Sequence, residues 1–127
     1  MPRNHAVQTP APSRGAVVTK AVVKAAEHLD LSARTLGGII GVSAPTVSRM
    51  KGGTYELDEG TKPYELAVLV VRVFRSLDAI AGGDPATVRG WMTSQNLALG
   101  DTPLNRINSV SGLVDVISYL DARRALV

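Results

Sequence analysis

The chain has 127 residues, 45% of them hydrophobic and 20% charged, with a net charge of +3. This is the size and composition of a globular protein with one compact domain, or two small ones that share a core, and not of a disordered chain. The absence of cysteine excludes disulfides, thiolate metal sites and cysteine nucleophiles and fits a cytoplasmic location, while the longest apolar run, residues 66–71, is far below the roughly 20 residues of a membrane span.

The first third of the chain predicts an arm and three helices. Residues 1–15 contain three prolines and no periodic apolar face, which indicates a flexible N-terminal arm. Apolar residues then recur at helical spacing over residues 18–29 and predict a first helix. Ser32 is the expected N-cap of a second helix that ends at Gly41, and Ser43 is the expected N-cap of a third.

The remaining two thirds also read as helical. The segment "KGGTYELDEG" predicts a loop, with a short extended piece at "TYEL". A long helix with an apolar stripe over residues 66–80 follows, and Asp84 and Thr102 are the expected N-caps of two more helices. A last helix is predicted over residues 111–124. Its expected inward side chains are Leu113, Val114, Ile117 and Leu120. We therefore predict an all-α protein of about seven helices.

The two short helices around the turn "IIGVS" match the helix-turn-helix pattern, in which the turn often contains glycine. Gly41 suits the turn because glycine tolerates a positive φ, and Gly37 suits a close approach of the helices. The buried positions are predicted to be Leu36, Ile40, Val42, Val47 and Met50. In this motif the second helix lies in the DNA major groove. The predicted DNA-binding residues are Arg34, Ser43, Ala44, Thr46, Ser48, Arg49 and Lys51.

The chemistry of these residues suits double-stranded DNA. Small Ser, Ala and Thr side chains allow close approach, Arg49 can bind a guanine edge or a phosphate, and Lys51 and Arg34 suit phosphates. Residues 1–53 contain seven basic and two acidic residues, a net charge of +5, whereas residues 54–127 have a net charge of −2. A basic half favours a polyanionic partner. A helical hairpin with a solvated polar face and an ordinary scatter of charge are the alternatives.

One helix-turn-helix unit neutralises few phosphates, so specific binding normally needs a symmetric dimer on two half-sites. The apolar stripe of residues 66–80 is a candidate dimer seam. Such a stripe more often forms the internal core, and the sequence leaves both interpretations open.

The C-terminal half has a distinctive order of residues, "GWMTSQNLALGDTPLNRINSVSGLVDVISYL". A tryptophan is followed by Asn-Leu-Ala-Leu-Gly, then Thr-Pro-Leu, then Ser-Gly and an aliphatic helix. This order resembles the toxin-binding domain of Xre/MbcA/ParS antitoxins, and the helix-turn-helix region resembles the Xre-like domain that precedes it in that family. The resemblance covers residues 17–127. It implies a domain division into the arm, a DNA-binding domain at 16–60 and a dimerisation and toxin-binding domain at 61–127.

The resemblance also implies a function. The partner would be a RES-domain toxin that degrades NAD or transfers its ADP-ribose. The antitoxin would block this toxin and would also repress its own operon. It is expected to act as a homodimer within a larger complex. Trp91, Leu97, Leu99 and Leu104 are expected to fix a loop of the toxin-binding domain. The last five residues are expected either to fray or to dock into the toxin. They are Arg123, Arg124, Ala125, Leu126 and Val127.

The sequence contains no clear catalytic or metal-binding motif. His5 and His28 have no second ligand at metal spacing, and no phosphate-binding glycine motif occurs. Three carboxylates, Glu56, Asp58 and Glu59, are most simply solvating charges, or contacts for a basic partner. We therefore predict no enzyme activity, no catalytic or metal site and no cofactor. The alternatives to an antitoxin are a stand-alone repressor whose C-terminal half only dimerises, and an adaptor that does not bind DNA.

Overall fold

The structure is a computed structural model that describes residues 10–126. This part of the chain folds into seven α-helices and contains no strand, only an isolated bridge between Asn96 and Asp101. The predicted all-α fold is therefore confirmed. The helices are α1 (Arg14–His28), α2 (Ala33–Ile40), α3 (Ala44–Lys51), α4 (Lys62–Ile80), α5 (Pro85–Thr93), α6 (Pro103–Arg106) and α7 (Val110–Arg124).

Each helix start is fixed by a capping side chain. In every described helix the residue before the first turn accepts a hydrogen bond from a backbone amide of that turn, which satisfies one of the amides that lack a helical partner. The capping residues are Ser13, Ser32, Ser43, Thr61, Asp84, Thr102 and Ser109. Four of these confirm the caps that the sequence predicts. Local side-chain chemistry thus sets the helix boundaries.

The helices share one aliphatic core, in which α4 packs against both α1 and α7, and α2 packs against α3. The stripe of α4 contributes Val70, Val73 and Leu77 to this core, where each is almost fully buried. The other stripe residues, Leu66, Leu69, Phe74 and Ile80, are half-buried and pack against the same core. The deep part of the stripe is consequently internal core in this chain and does not form an exposed dimer seam.

The start of α1 is bound to the loop between α3 and α4. Buried Thr19 donates from Oγ1 to the Gly15 carbonyl at 2.6 Å and accepts from the Leu57 amide at 2.8 Å. A Cβ atom on Gly15 would lie 2.2 Å from the Leu57 carbonyl oxygen, so this approach requires glycine. Arg14 and Gly15 therefore belong to α1, although the sequence analysis assigns them to the arm. Residues 1–9 of that arm lie outside the described residues.

One further expectation about an individual segment is wrong. On α7, Val114 is 47% exposed, and Val116 is buried in its place together with Leu113 and Ile117. Helical geometry explains the error, because positions 113, 116, 117 and 120 form one face and position 114 lies outside it. The loop that contains "TYEL" is non-helical, as predicted.

Among residues 10–126, no helix combines the length and the hydropathy needed to cross a bilayer.

Candidate functional site

The turn between α2 and α3 has the geometry expected of a helix-turn-helix. Gly41 ends α2 in the left-handed region at φ 85°, and its amide donates to the Gly37 carbonyl at 2.8 Å. The amide of Val42 donates to the same carbonyl at 3.0 Å. A Cβ atom on Gly37 would lie 2.5 Å from the Val42 carbonyl oxygen, so both glycines are required here. The predicted inward residues Leu36, Ile40, Val47 and Met50 are buried, and Val42 is half-buried.

The outer face of α3 is polar and basic. Ser43, Ser48, Arg49 and Lys51 are exposed, Ala44 and Thr46 are half-buried, and Arg34 on α2 is exposed. No acidic residue occurs in α3, and both of its cations lie in the last turn, where positive charge stabilises a helix. The predicted DNA-binding residues are thus brought onto accessible parts of these two helices, with hydroxyls near the start of α3 and cations near its end.

The acidic loop beside this motif is occupied by contacts within the chain. Glu59 forms an ion pair with Arg14 at 3.2 Å, and Glu56 accepts a hydrogen bond from Ser13 at 3.5 Å. Both contacts lie at the start of α1 and are exposed, so they contribute little stability. They nonetheless show that carboxylates of this loop face the first turn of α1.

A second accessible feature is a tight turn between α5 and α6. The Asn96 amide donates to the Asp101 carbonyl at 3.2 Å, and the Asn96 Oδ1 accepts from the Leu99 amide at 3.1 Å. Asp101 Oδ1 in turn accepts from the Thr102 amide and from Asn105 Nδ2. We call residues 96–101 the Asn96 turn. Its several internal hydrogen bonds make it a preorganised structure.

The Asn96 turn presents Leu97 to solvent. Leu97 is 96% exposed, so it cannot fix the loop as the sequence analysis expects. Leu99, Leu104 and Trp91 are half-buried and pack against the core, which agrees with a loop-fixing role for those three. The error at Leu97 has a simple cause: its hydrophobicity suggests burial, whereas the hydrogen bonds of the turn direct it outward.

The C-terminal arginines of α7 contact other residues of the chain. Arg123 lies over the Tyr119 ring at 5.9 Å, and Tyr119 stacks on Trp91 with 6.1 Å between ring centroids. Arg124 Nη1 donates to Ser76 Oγ on α4 at 3.2 Å. Arg124 therefore links the end of α7 to α4, whereas the contact of Arg123 lies within α7. Ala125 and Leu126 are exposed, Leu126 by 84%, and Val127 lies outside the described residues.

The sequence analysis misses an apolar groove of about 480 Å³ on α1. Its lining includes Val17, which is 54% exposed, and Ala21, with Lys20 and Lys24 beside them. The adjoining surface of α4 contributes Val68. The signal is present in the sequence, because Val17 and Ala21 widen the apolar face of α1 beyond the arc needed for burial.

Two titratable side chains among residues 10–126 have identifiable structural contacts. His28 stacks on Phe74 at 4.8 Å between ring centroids, in an exposed position at the end of α1. Asp84 has a lowered pKa because the Thr87 hydroxyl and the Thr87 amide donate hydrogen bonds to its carboxylate. This is the ordinary consequence of its capping role. No group of three or more His, Cys, Asp or Glu side chains within residues 10–126 could hold a metal ion.

Comparison with known protein families agrees with this division into two surfaces. Residues 10–72 match the antitoxin Xre-like helix-turn-helix domain, and residues 76–125 match the antitoxin Xre/MbcA/ParS C-terminal toxin-binding domain. No curated protein matches the chain. The two matched families are not enzyme families, in agreement with the prediction. The α2–α3 motif lies in the first matched region and the Asn96 turn in the second. The chain therefore belongs to the Xre/MbcA/ParS-type antitoxins of toxin-antitoxin systems.

Proposed function

We propose that this antitoxin binds and blocks a RES-domain toxin that consumes NAD, and that it represses its own operon by binding operator DNA as a homodimer in the cytoplasm. One observation carries the proposal: two surfaces of opposite chemistry lie in two separately matched regions. The polar and basic α3 lies in residues 10–72, and the preorganised apolar turn lies in residues 76–125. Each surface suits a different partner.

Operator binding is supported by the accessible face of α3. Arg49 and Lys51 offer charge for phosphates or guanine edges, and the small residues before them allow the helix to approach the bases. Arg49→Ala should weaken operator affinity by about 1–3 kcal/mol if Arg49 reads a base. Arg89→Ala, at an exposed arginine of α5, is the matched control and should leave the affinity unchanged. Equal effects of the two substitutions on fluorescence-anisotropy titrations would contradict the assignment of α3.

Toxin binding is supported by the Asn96 turn and by the end of α7. Leu97 offers exposed apolar surface on a turn whose backbone is already held by hydrogen bonds, so little backbone entropy is lost when the turn docks on a partner. The experiment is an NAD-consumption assay of the RES-domain protein encoded beside this gene, titrated with the antitoxin. We expect inhibition that saturates at a fixed molar ratio. Undiminished NAD loss in the presence of excess antitoxin would contradict the proposed block, and no NAD loss without antitoxin would contradict the proposed toxin class.

The tail contributes to the block through its apolar end. Arg123 and Arg124 are engaged with Tyr119 and Ser76, so Ala125 and Leu126 are the described tail residues free to enter a partner. Deletion of residues 125–127 removes this apolar end and keeps both arginine contacts, whereas deletion of residues 123–127 also removes the two arginines and their contacts. We expect both deletions to weaken inhibition of the toxin. If the longer deletion leaves inhibition intact, docking of the tail is wrong.

The proposed homodimer is supported by the usual mode of helix-turn-helix recognition, in which two units occupy two half-sites of the DNA. The groove on α1 supplies apolar surface for it in the DNA-binding half. Val17→Asp should therefore shift the chain towards monomer in sedimentation velocity. This places the dimer contact on α1 and not in residues 61–127, where the sequence analysis expects it, so Val110→Asp, at an exposed valine of that second region, should leave the dimer intact. A monomeric wild-type chain at micromolar concentration would contradict this part of the proposal.

A further inference from the structure

Three side chains form a hydrogen-bonded row along the outer face of α3. Ser43 Oγ and Thr46 Oγ1 are 2.8 Å apart, and Arg49 Nη2 donates to the same Thr46 oxygen at 3.0 Å. Residues three positions apart share a helix face, so the row follows the helix from its N-cap to its last turn. A hydroxyl can accept one hydrogen bond while it donates another. Thr46 can therefore accept from Arg49 and donate to Ser43.

The neighbouring helix shows which part of this row belongs to capping. At the start of α2, Ser32 accepts from the Thr35 amide at 3.1 Å and donates to Thr35 Oγ1 at 3.0 Å. The same Ser-x-x-Thr pair thus begins both helices of the motif. Three residues further on, α2 has Gly38 where α3 has Arg49. The serine–threonine pair is consequently a shared cap, whereas the link to an arginine occurs only in the helix predicted to contact DNA.

We propose that Thr46 is a positioning residue that holds the Arg49 guanidinium ready for a guanine edge. This inference rests on the proposed DNA binding. A guanidinium has five N–H donors, so one hydrogen bond to Thr46 leaves enough donors for a bidentate contact with guanine O6 and N7. Fixing the side chain before binding reduces the entropy lost in the complex. Thr46 then acts through Arg49, which differs from the direct contact that the sequence analysis assigns to it.

The test measures base preference with a duplex library in which the positions of one half-site are randomised. Five proteins are compared: the wild type, Arg49→Ala, Thr46→Val, Thr46→Ser and the cap control Thr35→Val. The wild type should prefer guanine at one position, and Arg49→Ala should lose that preference. Thr46→Val should reduce it about two- to tenfold, the range expected for one hydrogen bond. Thr46→Ser, which keeps the hydroxyl, and Thr35→Val should retain it.

A second readout needs no DNA. Side-chain NMR relaxation of the Arg49 Nε in the free protein should show a more ordered guanidinium in the wild type and Thr46→Ser than in Thr46→Val. Thermal unfolding of each variant shows whether α3 is retained. Unfolding thus separates a positioning role from a loss of the fold. The order of the Arg49 side chain separates positioning from capping, because a threonine that only supports the cap would not change that order.

Each outcome decides the inference. A guanine preference and an Arg49 order that are the same in Thr46→Val and the wild type overturn it and leave the proposed function standing. Equal losses of preference in Thr46→Val and Thr35→Val also overturn it, because they indicate a capping effect. A wild-type chain without salt-dependent duplex binding overturns the inference together with the operator part of the proposed function. Reduced preference and reduced order in Thr46→Val alone support it.

Discussion

Leu97→Ala tests the proposed toxin interface at its most exposed apolar residue. Leu97 is 96% exposed and its turn is held by backbone and side-chain hydrogen bonds of Asn96 and Asp101, so the substitution removes no packing within the chain. We therefore expect the free energy of unfolding to change by less than about 0.5 kcal/mol, as for ordinary surface substitutions. Any loss of toxin affinity can then be assigned to the interface.

The expected loss follows from the carbon atoms removed. Leucine exceeds alanine by three carbons, and each buried methylene contributes about 0.8 kcal/mol, so full burial of Leu97 in the toxin predicts a loss of about 2.4 kcal/mol. This corresponds to roughly 50-fold weaker binding. Isothermal titration calorimetry of the purified toxin with each antitoxin variant measures the difference directly.

Leu97→Met is the matched control, because methionine keeps an apolar side chain of similar volume and should cost less than about 1.5 kcal/mol. Toxin binding by folded Leu97→Ala that is as tight as that of the wild type would contradict this role of Leu97. Leu97 would then be an exposed leucine without a partner, and the Asn96 turn would lie outside the interface.

Two further predictions concern stability. Gly112→Ala should lower the free energy of unfolding by about 1–3 kcal/mol, because the new Cβ would lie 1.8 Å from the Arg106 carbonyl oxygen. Gly90→Ala, with nothing within 4 Å of the new atom, should raise it by about 0.5–1 kcal/mol. Urea denaturation measures both free energies, and an unchanged stability of Gly112→Ala would contradict the close approach. Asp84 has a folded-state pKa below its usual value because of Thr87, so its contribution is present above the usual pKa and is lost as the pH falls through the lowered one. The stability difference between the wild type and Asp84→Asn should accordingly shrink on acidification, and a difference independent of pH would contradict this role.

The features predicted correctly from the sequence are those decided by local chemistry. A capping hydroxyl or carboxylate acts on amides two or three residues away, so Ser32, Ser43, Asp84 and Thr102 mark helix starts whatever packs against them. Gly41 is similarly local, because its positive φ follows from the end of α2. These signals place the helix-turn-helix before any tertiary contact is known.

The contact between Arg124 and Ser76 is missed because it joins distant parts of the chain. Ser76 lies 48 residues before Arg124, and no pattern near the tail indicates this contact. Leu97 and Val114 are missed for a different reason: both are as hydrophobic as the core residues, but the hydrogen bonds of the Asn96 turn and the spacing along α7 leave them in water. The groove on α1 is lined by residues of α1 and by Pro12, and its apolar residues can be read from the sequence.

We propose that this chain is the antitoxin partner of a specific neighbouring toxin. The most direct measurement is to purify the tagged chain from its native cells and to determine, by mass spectrometry, which protein accompanies it and in what ratio. We predict a stoichiometric complex with the RES-domain protein encoded beside it. Recovery of the chain alone, although that neighbour is expressed, would contradict the claim and favour a stand-alone repressor whose residues 84–127 serve only dimerisation.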